Sequence, residues 1–336
     1  MPLKHDQFMD SSLHFIFGLD ARKKDDGAPF SAQKFHSIWL SGLLGVGLRV
    51  GLGSITNILP SSSYTKVCNQ IHSFVDFYIN QFCSEKNRGN TSTTKRQSVA
   101  ETIVSTNDDM YSIQSQVIQA MMGAQDTTSS LLGNTIELLA RHPLFWEELK
   151  REFAEKGDSL LSFDGLREST VIQNILIESM FAIFTFEKSI YNVALGLRVR
   201  PVFPAMGREA LRDTTLPVGG GPNCQSPIFV PKGIQGVSNF YMLHRDPTVF
   251  GDDVEAFNPH RWTSIKPTSK QFAPFGLGGR SCLGKDKALV EAGYVLARLA
   301  KEFEVLEFKG AKVYRGVIKM AMKNAEGCKV AIRRNG

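Results

Sequence analysis

FAPFGLGGRSCLGKDKA, residues 272–288, decides how the rest of the chain is read. Its glycines let the backbone turn tightly and approach a flat ligand closely. Cys282 stands just before a stretch, about Lys285–Phe303, whose pattern predicts a long helix. Free N–H groups and the positive dipole end at a helix N-terminus stabilise an anion, so a cysteine placed there is suited to the thiolate form that binds a metal. An inert cysteine in a glycine-rich turn is the ordinary alternative for a lone Cys. A dinucleotide-binding turn is the other rival, but Ser281 occupies the place of its third small residue and Pro274 interrupts the preceding strand.

Around this loop the chain reads as mainly helical. Helical patterns cover Val67–Phe82, Asp108–Arg141 and the stretch opened by Pro143, with Pro at the first helical position and Gly157 near the end. Ser84–Gln97 is polar, without apolar periodicity, and reads as an exposed loop. After Pro201, prolines and glycines alternate with short strands such as Ser226–Val230. Ile38–Ile55 is the one membrane candidate. Five glycines and Arg49 make it a buried or surface-grazing helix rather than a span, since a mid-span Arg costs about 2.5–3.5 kcal/mol. The 336 residues carry a net charge of +6 without a basic block, which argues against nucleic acid. The five cysteines include no CxxC pair, which disfavours zinc and iron–sulfur sites, and their odd, sparse count argues against a disulfide framework.

Phe275, Gly276, Gly278, Arg280, Cys282 and Gly284 fill every fixed position of FGxGxRxCxG, and the chain resembles the cytochrome P-450 family from about Asp10 onward. The resemblance implies a mainly α fold with a small β component. It implies a single domain over residues 1–336, lacking the N-terminal third that carries the family's membrane anchor. It makes Cys282 the thiolate ligand of haem b iron, with Arg280 placed to pair with a propionate. Arg208 is similar in position to a second propionate-binding arginine; an ordinary surface ion pair explains it as well.

Gly123-Ala124-Gln125-Asp126-Thr127-Thr128 resembles the family's (A/G)GxDTT motif on the helix that crosses the haem. By that resemblance Gly123 and Ala124 leave room for O2, Thr127 delivers protons and Asp126 relays them. Val202 and Phe203 are expected in the substrate pocket, or else in the core. The family's ExxR pair is interrupted. Leu195 stands three residues before Arg198, while Glu178-Ser179 would join Leu197-Arg198 as ESLR if Met180–Gly196 were removed. We therefore expect 180–196 to be an insertion, with Glu178, Arg198 and Arg261 of PHRW forming the family's structural cluster. His260 departs from the usual PER sequence.

The implied function is a haem-thiolate monooxygenase acting on an apolar small molecule, in the manner of fungal alkane or fatty-acid hydroxylases. Electrons would come from NADPH through NADPH-cytochrome P-450 reductase, which Lys285 and Lys287 would help to dock. The expected location is the cytosolic face of the endoplasmic reticulum membrane. The alternative is a truncated fragment with weak or no haem binding.

Overall fold

The computed structural model describes residues 5–19, 27–52, 55–56, 61–88, 97–180, 202–203, 205–318 and 321–335. They divide into two compact units, residues 1–130 and 131–336.

The first unit is helical: α1 (His5–Phe17), α2 (Ala32–Leu52), α3 (Ser62–Asn87), α4 (Val99–Thr106) and the first part of α5 (Met110–Arg141). Helix α3 buries Ile71, Phe74, Val75, Tyr78 and Ile79, the spacing of a single helix face. That face meets Leu13 and Phe17 of α1, Phe35 and Trp39 of α2, and Ile113 and Val117 of α5. Phe35 stacks on Phe74 with ring centroids 3.8 Å apart. Helix α4 starts in a reciprocal cap, Ser98 Oγ accepting from the Glu101 amide while the Glu101 carboxylate accepts from the Ser98 amide. The polar segment expected as a loop from Ser84 continues α3 as far as Asn87; an exposed helix end needs no apolar face to persist. Residues 89–96 lie outside the described residues.

Two glycines of α2, Gly42 and Gly45, have a packing reason. A Cβ on Gly45 would stand 2.3 Å from the ring of Tyr64, and one on Gly42 would stand 2.7 Å from Ile71 Cδ1. Arg49 lies over the same Tyr64 ring at 3.6 Å and points Nη1 at the Gly45 carbonyl. Among the described residues, no helix is long and apolar enough to cross a membrane. Gly47 faces open space. We expect Gly45→Ala and Gly47→Ala to have opposite signs in urea-unfolding midpoints. The first should lose about 1 kcal/mol, overpacking outweighing the helix gain, and the second should gain up to about 1 kcal/mol.

The second unit begins with the end of α5 and continues through α6 (Pro143–Lys156), α7 (Phe163–Glu168) and α8 (Thr170–Ser179). Four strands follow: β1 (Ala205–Glu209), β2 (Thr214–Gly220), β3 (Ser226–Val230) and β4 (Gln235–Asn239). After the short helices α9 (Phe240–Leu243) and α10 (Pro247–Phe250) comes α11 (Lys285–Glu302). The chain closes with β5 (Phe303–Phe308), β6 (Gly316–Ile318), β7 (Met322–Asn324) and β8 (Val330–Arg334). The strands pair as two-stranded antiparallel ladders, β1 with β4, β2 with β3, β5 with β8 and β6 with β7. The architecture is mainly α with a small β component, as the sequence led us to expect.

Helix α6 has the predicted Pro at its start, and Gly157 ends it with φ +58°. Helix α11 buries Leu289, Ala292, Gly293, Leu296 and Ala297 against α6, α7 and α8. At Gly293 a Cβ would come within 3.1 Å of Ile172 Cγ2, so the glycine permits a close crossing with α8. The end of α5 is fixed by buried polar pairs. The Thr135 and Ser179 hydroxyls are 2.6 Å apart, and the Glu137 carboxylate accepts from Arg141 of its own helix and from Asn324 of β7.

Candidate functional site

The site rests on a buried charge cluster. Glu178, at the end of α8, is fully buried. Its Oε1 accepts from Arg261 Nε at 3.0 Å and from the Asn258 amide at 2.9 Å; its Oε2 accepts from Trp262 Nε1 at 2.8 Å. Arg261 spends its remaining donors on the Phe250 carbonyl, the Asp253 carboxylate and the carbonyls of Asp253 and Ala256. Burial pushes the Glu178 carboxyl up to about 7, against the downward pull of Arg261, the Asn258 amide and the Trp262 indole. The structure thus brings Glu178 and Arg261 together. Arg198 and the segment 181–196 lie outside the described residues. Asp253, Asn258 and the Trp262 indole are members of the cluster that sequence reasoning did not single out. His260 is exposed, 2.9 Å from Glu148.

From this cluster an aromatic chain leads to the cysteine loop. Trp262 packs on Phe272, and Phe272 packs on His244. His244 is buried, and its Nε2 accepts the amide proton of Ala273 at 3.1 Å. Ala273 in turn accepts from the Gly276 amide. Gly276 and Gly278 both adopt φ +73°, a region nearly closed to residues with a Cβ. The Cys282 amide donates to the Phe275 carbonyl at 2.9 Å, closing the loop. Gly284 caps α11, which sets Cys282 two residues before the cap. Its thiol is free and exposed.

Arg280 ends a short 3-10 turn. With Phe203, Ala205, Met206, Gly207 and Arg208 it lines an open hollow of about 610 Å³. Gly276 borders the same place: a Cβ on it would lie 3.4 Å from Met206 Cε. Arg208, in β1, gives Nη1 to the Gly207 carbonyl, and among the described residues neither arginine has a carboxylate partner within salt-bridge distance. Val202 is half-buried and is not among the lining residues; its carbonyl accepts from the Met322 amide. Lys287 is paired with Glu291 on its own helix, and Lys285 stands 5.7 Å from the Phe275 ring centroid.

Gly123, Ala124, Asp126 and Thr127 belong to the first unit, on α5. Thr127 donates its hydroxyl to the Gly123 carbonyl at 2.6 Å, and the helix stays α-helical through this bond. A Cβ on Gly123 would meet nothing within 4 Å.

Residues 196–325 match the family model described as Cytochrome P-450. A cytochrome P-450 monooxygenase of Fusarium mangiferae, FPY7, is 30% identical over 99% of this chain and 62% of its own length. A cytochrome P-450 monooxygenase of Alternaria solani, alt2, is 31% identical over 89% of this chain and 54% of its own. Cytochrome P-450 52E2 of Candida apicola is 28% identical over 96% of this chain and 62% of its own. The chain belongs to the cytochrome P-450 family. It spans about three-fifths of the length of the Fusarium and Candida relatives.

Membership of the cytochrome P-450 family implies a haem, and the second unit has residues that fit one. An exposed free thiol stands at the head of α11, Gly276 and Gly278 turn the loop at positive φ, and Arg208 and Arg280, without a carboxylate partner among the described residues, line one open hollow.

His244 also makes this P-450 loop sensitive to acid. Burial, reinforced by the positive charge of Arg245, pulls its pKa down to about 4. An unfolded histidine titrates near 6.5. Above that pH both states are neutral and the contribution is complete. As pH falls, the unfolded chain takes up a proton that the fold refuses, so stability drops by roughly 1 kcal/mol at pH 5.5 and about 3 kcal/mol near pH 4. Glu178 works the other way, since its raised carboxyl gives stability that is complete below about 4.5 and lost as pH rises through 7. The histidine contribution is therefore read as the difference between the wild type and His244→Gln in urea melts from pH 7.5 to 5.5. Parallel pH profiles would contradict it.

Proposed function

We propose that this chain carries the haem-binding part of a haem-thiolate monooxygenase, with haem b held by the Cys282 thiolate. The observation that carries this reading is the exposed thiol of Cys282 at the head of α11, in a complete FGxGxRxCxG loop. Bound there, a haem would supply oxygen activation: with two electrons from NADPH through its reductase and two protons, one oxygen atom would enter an apolar C–H bond and the other would leave as water. The residues of the chain do the rest. Cys282 precedes the N-terminus of α11, a helix end whose free N–H groups favour a nearby anion. Arg280 and Arg208 pair with the propionates. The Thr127 hydroxyl, with Asp126 beside it in sequence, moves protons toward the oxygen site. Gly123 and Ala124 leave that site open. Val202 and Phe203 supply apolar walls for an alkane or fatty acid. The cluster of Glu178 and Arg261, to which the family resemblance adds Arg198, supports the scaffold next to the loop. In this reading residues 1–336 are one cytochrome P-450 domain, and Met180–Gly196 is an insertion.

The test is spectroscopic. The chain is expressed with haem supplied, reduced under carbon monoxide and scanned through the Soret region. The red-shifted band of thiolate-ligated haem is expected. Failure to take up haem overturns the reading. Haem uptake without substrate oxidation, when reductase and NADPH are present, leaves the ligation intact and removes the monooxygenase.

A further inference from the structure

The cysteine loop leaves the aromatic cluster at Ala273, and its entry is pinned from outside. Ala273 is buried, as is His244, whose Nε2 accepts the Ala273 amide proton at 3.1 Å. The imidazole is flanked by two rings. It lies parallel to Phe240, with centroids 5.9 Å apart and planes at 9°, and against Phe272 at 4.8 Å. Downstream of the pin, backbone bonds relay the position: the Gly276 amide to the Ala273 carbonyl, then the Cys282 amide to the Phe275 carbonyl. The glycines between are the residues with the greatest freedom to drift, so the loop needs a fixed entry.

We propose that His244 is a positioning residue for Cys282, its Nε2 holding the Ala273 amide so that the loop presents the thiol at a set place. That the thiol serves haem rests on the function proposed above; the clamp itself does not. It acts as a hydrogen-bond acceptor. A side chain of similar length with a strong acceptor at its end preserves it, and one with only the weak acceptor of a thioether, or with none, loses it, whatever its bulk.

His244→Gln and His244→Met, nearly equal in size, separate these cases in the full-length chain without haem. Two readouts are followed by mass spectrometry: amide hydrogen exchange over 273–282, and the rate of Cys282 alkylation by iodoacetamide. Exchange over α11 serves as the reference for global stability. The methionine variant should speed loop exchange by about tenfold or more with α11 protection retained, and should change the Cys282 alkylation rate in parallel. The glutamine variant should stay within about threefold of wild type. Should the methionine variant not fold, His244→Phe replaces it, restoring the ring contacts with Phe240 and Phe272 but not the acceptor. Equal loop exchange in the glutamine variant and the methionine or phenylalanine variant overturns the clamp, as does an unchanged loop in the latter. Because haem is absent from this experiment, its outcome is independent of the carbon monoxide spectrum that tests the proposed function.

Discussion

Cys282→Ala is expected to abolish the thiolate-ligated carbon monoxide spectrum while leaving the fold of the chain intact. The two halves of this result have separate causes. The side chain of Cys282 is exposed and its sulfur is free, so its removal costs no packing, and stability should stay within about 0.5 kcal/mol of wild type in urea. The sulfur has no replacement. None of the other four cysteines stands in the FGxGxRxCxG loop: Cys68 and Cys83 lie on α3, Cys224 sits in the turn between β2 and β3, and Cys328 lies between β7 and β8. Cys282→Ser should fail equally, because a hydroxyl is a far weaker acid and a harder ligand than a thiol and cannot supply the thiolate sulfur. Cys224→Ala, equally exposed, should keep the band. A Cys282→Ala chain that still gives the red-shifted band would remove the basis of the haem-thiolate reading.

The parts of the molecule legible in the sequence are those written by local signals. Pro143 and Gly157 mark the two ends of α6, and the alternation of turns with short apolar runs gave β3 its limits, Ser226–Val230. The cysteine loop was legible because its glycines, arginine and cysteine are close neighbours along the chain. What stayed hidden was written by contacts across the chain. Asn258 and Trp262 reach Glu178 from 80 and 84 residues away, and nothing in the local sequence announces that an indole N–H will meet a carboxylate. The bond from the Ala273 amide to His244 spans 29 residues; the histidine stands in an ordinary-looking Met-Leu-His-Arg-Asp run. Gly42 and Gly45 of α2 read as a break in an apolar stretch until Ile71 and Tyr64 of α3 supplied their reason. Length misled once, at the end of α3, where apolar periodicity stops before the helix does.

Arg261→Ala should be the most damaging single change to the stability of the second unit, at about 3–5 kcal/mol. The size follows from what the guanidinium leaves behind. Glu178 loses its only cationic partner among the described residues, in a site where burial already raises its pKa. The carbonyls of Phe250, Asp253 and Ala256 lose their donor from Arg261 together; the buried Phe250 carbonyl carries the desolvation cost, while the Asp253 carbonyl keeps the Ala256 amide. Against a typical total of about 5–15 kcal/mol, such a loss removes a large part of the margin. Arg261→Lys should recover little, because one ammonium with three donors cannot fill a fork that serves two carboxylates and three carbonyls. Glu178→Gln is expected to cost less than Arg261→Ala, since the amide keeps an acceptor of the same shape. Thermal melts and urea midpoints of the three variants check the order. Equal losses for Arg261→Ala and Glu178→Gln would assign the effect to the ion pair alone. A larger loss for Arg261→Ala assigns the surplus to the carbonyls and Asp253, and so to the segment 250–261 that carries Trp262 beneath Phe272 and the entry of the cysteine loop.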